Sequence, residues 1–519
     1  MNFNRDKMIA GIADSGVQWD ILIIGGGATG AGVALDATSR GYKTLLIEQN
    51  DFGKGTSSRS TKLIHGGVRY LQQGNFSLVM EALKERGILY KNAPHLVSNL
   101  KFVVPRYDWW EGTFYGVGLK LYDMMAGKYG FGDSKLLSVE ETVSLIPTIE
   151  TEGLRGGIIY YDGQFDDSRL LINILQTAVE HGAFVINYFR MNDYIKSKDM
   201  IAGITAEDLE TGDVYEIKAK VVINATGIFS DEIRKKENPD TPGIIEPSRG
   251  THIVLDKSFL PGNSAIMVPN TDDGRVLFAI PWHGKVIVGT TDVPVDKPEL
   301  EPKASEEEIE FLLKHIARYL ENDPDYTDIK SVFCGLRPLV KSGDTENTAA
   351  ISREHTVNIS KNGLITIAGG KWTTFRKMAE DTIDHAIELG GLEPRKCITE
   401  TLKIHGYTLK ESELPGFDVY GSDAEAVQIT CNANNLYDIL HPALPIHKGE
   451  VIWAVKHEMA RTVEDFLARR RRALFLDAQS SIEAAPVVAK LMAKELNKNK
   501  KWVEEQISEF ETVAKNYTV

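Results

Sequence analysis

One stretch near the start constrains this chain more than any other. Trp19-Asp-Ile-Leu-Ile-Ile runs into Gly25-Gly-Gly-Ala-Thr-Gly30, an Ala-rich run follows to Arg40, and Lys43-Thr-Leu-Leu-Ile-Glu48 comes after Gly41. The pattern reads strand, tight glycine turn, helix, strand: a βαβ unit with a buried parallel strand at each end. Gly25, Gly27 and Gly30 serve the tight turn, the close approach of backbone to a pyrophosphate, and the packing of helix on strand. With Ala28 and Thr29 between them, they open a helix whose free N–H groups and positive dipole end attract phosphate. Glu48 closes the second strand, where a carboxylate accepts ribose hydroxyls and disfavours a 2′-phosphate. A GxGxxG alone is a weak signal. The flanking strands, the helix and the terminal acid turn it into a dinucleotide site.

At 519 residues the chain is too long for one ordinary domain, and 42% apolar with 25% charged residues is globular usage. The balance of 59 basic against 73 acidic side chains gives a net charge of −14. That argues against a nucleic-acid partner, which needs a basic footprint. Any anionic ligand must meet a local basic pocket. Cys334, Cys397 and Cys431 are few, odd in number and dispersed, so neither a disulfide framework nor a metal site is expected, and a reducing cytoplasm is the default. Met1–Gly16 lacks a signal-peptide core, and the Gly-rich stretch Ile21–Leu35 is too short to span a bilayer.

The pattern after the βαβ unit divides into three parts. Strands and helices alternate again from Gly156 to Lys218-Ala-Lys-Val-Val-Ile-Asn-Ala-Thr-Gly227, and return at Gly363–Lys371, feeding a helix from Thr373 to Leu389. Residues 245–295 change character: Arg275–Trp282, the turn His283-Gly284, and Lys285–Asp292 read as an antiparallel hairpin. Glu306–Leu320 reads as an amphipathic helix, and beyond about residue 400 helical patterns dominate. The fold class expected is α/β plus α. A discontinuous Rossmann-like nucleotide-binding domain takes 18–100, 151–245 and 340–398. An antiparallel-sheet substrate domain takes 101–150 and 246–339, and a helical C-terminal domain takes 399–519.

The segment Thr56–Tyr70 is dense in small polar groups and cations, placed just after the acid-bearing strand. Ser57, Ser58 and Thr61 can hydrogen-bond phosphate or ribose, and Arg69 can grip an anion with two parallel bonds. Solvated surface charge is the lesser reading of Lys62 and Arg69, whereas a lone His252 is more often structural than catalytic. The strand end Ala225-Thr-Gly227 and the turn Gly369-Gly-Lys-Trp-Thr-Thr374 look like further loops closing over one large cofactor, which favours FAD over NAD.

At these residues the chain resembles the FAD-dependent glycerol-3-phosphate dehydrogenases, quinone-linked flavoproteins of the D-amino-acid-oxidase-like group. The likeness lies in IIGGGATGAG, TSSRSTKLIHGGVRYL, INATGIFSD, PSRGTHIV, FAIPWHGKVIVGTTD, CGLRPLV, ISREHTV and AGGKWTTFRKMAE, and spans roughly residues 18–475. KLIHGGVRYL and GGKWTTFRK are its specific blocks; residues 476–519 carry no recognised motif. The resemblance implies that FAD contacts Gly25 to Gly30, Glu48, Ser57, Ser58, Thr61, Lys62, Leu63, His65, Gly66, Gly67, Ala225, Gly227, Gly370, Lys371 and Thr373. It implies a substrate site from Arg69, Tyr70, His252, Arg337, Arg353 and Lys371.

The implied reaction removes the C2 hydride and hydroxyl proton of sn-glycerol 3-phosphate, giving dihydroxyacetone phosphate. Three arginines from separate segments hold the phosphate. His252 is the first candidate for general base, since an unperturbed imidazole titrates near ~6.5. Arg353 or Lys371 stabilises a developing alkoxide instead. The resemblance further implies a membrane quinone as electron acceptor and a peripheral position on the cytoplasmic face of the cell membrane, with a homodimer left open. Arg469–Arg472 is a basic run suited either to anionic headgroups or to a solvated helix face, and the amphipathic segment 502–517 suits packing on a core. Rival readings are an oxygen-using glycerophosphate oxidase, an amine or amino-acid oxidase of the same flavin fold, and a non-catalytic flavoprotein.

Overall fold

Strand Gln18–Ile24 runs parallel beside Thr44–Ile47, Ile21 facing Thr44 and Ile24 facing Ile47, with helix Ala28–Ser39 crossing between them. This is a computed structural model; it describes residues 3–12, 17–67, 71, 74–108, 111–269 (backbone only at 111–117), 271–341, 355–410, 416–433 and 435–519. The crossing helix is buried on nearly every side because helices Asp167–Glu180 and Phe375–Gly390 flank it. Gly32 makes that fit: a Cβ there would stand 2.8 Å from the Phe375 ring.

Two sheets carry the molecule. The first has eight strands, and its parallel core runs Leu364–Gly369, Val214–Asn224, Gln18–Ile24, Thr44–Ile47 and Phe184–Ile186. Its central strands are apolar and buried at Ile21–Ile24, Leu45–Ile47 and Val221–Ile223, as a sheet covered on both faces requires. The second has ten strands and is mostly antiparallel. The hairpin read from the sequence lies in it: Leu277–Trp282 pairs with Lys285–Gly289. Its two turn residues, His283 and Gly284, have φ of +45° and +75°, the left-handed pair that lets a two-residue turn follow the strands' twist. The second sheet also recruits Leu63–Ile64 and Gly157–Phe165, from segments expected on the nucleotide-binding side, and Val97–Pro105, which crosses the expected boundary at residue 100. Strand Gly157–Phe165 shows no alternation, being buried on both faces, so nothing local distinguishes its sheet.

The C-terminal part is helical, with helices Ala424–Ala433, Lys448–His457, Ala478–Glu495 and Lys500–Ala514 and one small hairpin. Val488, Met492 and Phe510 share a core with Val254, Trp282, Ile287 and Phe333 of the second sheet. The amphipathic 502–517 segment thus packs on a core, as expected. Residues beyond 476 acquire a role: Tyr517 packs edge-on against Phe475 and lies 5.8 Å from the Arg59 guanidinium. Among the described residues no helix is long and apolar enough to cross a membrane.

Candidate active site at the junction of the sheets

Four parallel strands of the first sheet end at one cavity. Gly25, Gly27, Ala28 and Thr29 follow the first strand, Glu48 the second, Ala225–Gly227 the strand Val214–Asn224, and Gly369–Trp372 the strand Leu364–Gly369; all of these line about 500 Å³ of space. Crevices outside the carboxyl ends of parallel strands are where open α/β sheets bind their ligands. The backbone is shaped for close approach. Gly30 lies behind the wall, where a Cβ would stand 1.9 Å from the Gly25 carbonyl oxygen, so only glycine lets helix and turn meet. Gly25 has φ +111°, a conformation reserved for glycine.

Side chains then fix this main chain. Glu48 accepts from the Gly26 N–H at 2.7 Å and the Asn50 N–H at 2.8 Å. Burial raises its carboxyl above the usual range, opposed by those two donors. Ser57 Oγ accepts from the Ala28 N–H at 2.9 Å, and the Ser57 carbonyl accepts from Trp372 Nε1 at 2.9 Å. Asn224, wholly buried, accepts from the Thr226 N–H and hydroxyl and donates to the Ser230 carbonyl, which freezes the Ala225–Gly227 turn. Sequence reading singled out neither Asn224 nor Trp372, though both sit inside motifs it used. A polar residue ending an apolar strand was the available signal.

The segment after Glu48 departs from expectation. Ser58, Lys62 and Leu63 are buried rather than lining the cavity. Lys62 is no solvated charge. It donates to Asp167 Oδ2 at 2.6 Å and the Ser58 carbonyl at 2.8 Å, among the rings of Trp282, Phe333 and Phe475. Burial pulls it down to about 7 despite Asp167. Thr373, also buried, meets His65: the His65 N–H donates to Thr373 Oγ1 at 3.3 Å. The Gly66 N–H donates to Tyr122 Oη at 2.8 Å, and Gly67 has φ +81°.

His252 and Arg337, expected at the substrate, stand on two neighbouring antiparallel strands, Ile245–Asp256 and Ser331–Val340, on which Ser248 faces Arg337 and His252 faces Phe333. Thr61 Oγ1 and His252 Nε2 lie 2.9 Å apart, so the segment expected at the cofactor touches the second sheet. His252 is 2% exposed and stacks on Phe333 with centroids 4.6 Å apart. Burial, then the charges of Lys62 and Arg337, hold its pKa well below the ordinary value. The premise of an unperturbed imidazole therefore fails; the ring is neutral at neutral pH. Arg337 donates to Asp292 at 3.2 Å and to the Thr291 carbonyl at 2.9 Å, while Asp292 also takes the Ser248 hydroxyl. Lys371 lines the cavity beside Gly370. Arg69, Tyr70 and Arg353 lie outside the described residues. Among those described, no cluster could hold a metal ion.

A family model for FAD dependent oxidoreductases matches residues 20–376, and one for the C-terminal domain of alpha-glycerophosphate oxidase matches 367–503. A probable mitochondrial glycerol-3-phosphate dehydrogenase of Caenorhabditis elegans is 42% identical over 93% of this chain and 71% of that protein. The mitochondrial glycerol-3-phosphate dehydrogenase of Homo sapiens is 41% identical over 92% and 71%. The chain belongs to the glycerol-3-phosphate dehydrogenase family of FAD-dependent oxidoreductases. Among solved structures, the glycerol-3-phosphate dehydrogenase from Bacillus halodurans complexed with FAD superposes with a TM-score of 0.80 at 31% identity, covering 99% of this chain and 97% of that one. The family's cofactor is FAD, and the residues present fit it: a glycine-lined wall that a Cβ would obstruct, backbone donors at a helix start, and a carboxylate at the second strand's end.

Proposed function

We propose that this chain oxidises sn-glycerol 3-phosphate at C2 and that its electrons pass to a membrane quinone. The observation that supports the reading most is the meeting of Thr61 and His252, which joins the cofactor-side segment to the strand bearing the candidate base, one strand from Arg337. FAD, when bound, supplies the hydride acceptor. Arg337, with Arg69 and Arg353, neutralises the phosphate, so that binding energy of the unreactive end orients C2. His252, neutral because it is buried, has a lone pair for the hydroxyl proton, and Thr61 fixes its ring. Lys371 stabilises negative charge developing on the C2 oxygen.

Anaerobic addition of glycerol 3-phosphate to the oxidised yellow protein tests the reaction class. Bleaching of the flavin absorbance is expected; an unchanged spectrum overturns the reading. His252→Asn should lose roughly a hundredfold or more in kcat with flavin retained, and near-normal turnover would remove the base assignment. The quinone arm is supported by exposed apolar side chains on the helices Phe76–Asn92 and Glu111–Ala126, namely Phe76, Met80, Leu121 and Met124. It is not supported by the basic run at 469–472, of which Arg469, Arg470 and Arg472 are buried. Stoichiometric peroxide in air, with no response to added quinone, would favour the oxidase reading instead.

A further inference from the structure

We propose that Tyr122 is a positioning residue, which sets the orientation of the peptide between His65 and Gly66 on the flavin side of the site. This rests on the reading that residues 65–67 face the flavin, and adds a residue that no motif singles out. The Gly66 N–H donates to Tyr122 Oη at 2.8 Å, and Tyr122 Oη in turn donates to Asp162 Oδ2 at 2.7 Å. Asp162 is held in turn, its Oδ1 accepting from Arg86 Nη1 at 2.7 Å and from the Gly163 N–H at 3.1 Å. Tyr122 and Arg86 are 1% exposed and Asp162 3%, so water does not replace any of these bonds.

The other edge of the same peptide is gripped as well. The His65 carbonyl accepts from Thr373 Oγ1 at 3.5 Å, and Thr373 follows Trp372 of the cavity wall. A trans peptide points its C=O and N–H in opposite directions. Thr373 and Tyr122 therefore hold one plane from its two sides. The fit is close, since a Cβ on Gly66 would lie 2.5 Å from Tyr122 Oη. Burial, then Asp162, drive the phenol pKa well above its ordinary value, so the hydroxyl stays protonated and keeps both bonds. Without that hydroxyl, a buried N–H and a buried carboxylate oxygen each lose a partner, and the plane is free to turn.

The test is Tyr122→Phe in the full chain with FAD bound. Faster amide exchange in a peptide covering Gly66, a shifted flavin midpoint potential and a perturbed flavin spectrum are expected. Flavin reduction by glycerol 3-phosphate should slow roughly three- to tenfold, as loss of one buried hydrogen bond implies, with KM changed less. Asp162→Asn would also unpair buried Arg86, so exchange of the Gly66 amide in the wild-type holoprotein decides the matter if Tyr122→Phe yields no folded holoprotein: slow exchange is expected, and exchange as fast as in an open loop overturns the proposal. A variant with wild-type exchange, potential and spectrum overturns the proposal while wild-type bleaching leaves the underlying reading standing. A wild type that glycerol 3-phosphate does not bleach overturns that reading itself.

Discussion

The dinucleotide cradle and the arginine turn behind it are built on opposite principles. The cradle is main chain: glycines, strand ends and N–H groups, trimmed by Glu48, Ser57 and Asn224. The turn is side chain. Arg470 holds both oxygens of Asp51 at 2.7 and 2.8 Å across 419 residues of sequence. Arg469 reaches Asp51, Glu464 and Asp465. Arg472 donates to the Ser58 carbonyl at 2.6 Å and pairs with Asp167 at 3.2 Å. This corrects the surface reading of that run: Arg469, Arg470 and Arg472 are at most 2% exposed, so neither lipid headgroups nor solvent meet them. A site made of backbone depends on local spacing. A site made of paired charges depends on what the fold brings from far away, and each charge is costly once its partner goes.

The sharpest way to break the comparison is Asp51→Asn. Burial acts to raise this carboxyl, and Arg470 and Arg469 overrule it, holding it at about 2. Its loss strands two buried guanidinium groups, and a fall of about 3–5 kcal/mol in unfolding free energy is expected, read by urea denaturation. An effect near zero would mean the arginine turn is not the buried lock described. Gly30→Ala comes next. A methyl pressed on the Gly25 carbonyl should cost about 1–3 kcal/mol and weaken FAD retention roughly tenfold or more, measured by flavin release on dilution. If FAD holds as tightly as before, the cradle is less exacting than its glycines imply.

The smallest effect belongs to an ion pair outside both regions. His405 lies between Glu180 at 2.5 Å and Asp423 at 2.8 Å. Burial acts to lower its pKa, but these carboxylates raise it from 6.5 to about 9. A folded pKa above the unfolded one gives stability that is complete below the unfolded value and fades as pH climbs through the folded one. Stability should therefore drop by ~1 kcal/mol from pH 6.5 to beyond 9, and His405→Gln should flatten that slope. Asp51 has the opposite sign: its folded pKa is depressed, so its contribution is present above 3.8 and goes as pH falls towards about 2.

The sequence made the first region legible. The βαβ unit, the glycine turn, the Ala225–Gly227 and Gly369–Lys371 loops and the His283-Gly284 hairpin each follow from a period or a spacing that backbone geometry imposes within a few residues. Arg469–Arg472 misled because charge, read locally, implies headgroups or solvent, and Lys62 because a cation in a polar segment implies a ligand. Only the fold shows that Asp51 and Asp167 wait for them. The sheet that strand Gly157–Phe165 joins was not legible for a similar reason, since its neighbours Val97–Pro105 and Leu63–Ile64 are set by tertiary pairing. Tyr122 gave no signal at all, being one aromatic in a run of them.

Between Glu48 and Gly66 the chain meets the sheet, the arginine turn, the substrate strands and Tyr122 in succession. During synthesis that stretch leaves the ribosome early, yet Asp51 has no cation from the turn until Arg469 and Arg470 emerge near the end. The cofactor's seat thus matures last, although it is encoded first. A polypeptide stopped short of that turn would leave it half assembled, whatever the state of the glycine motif.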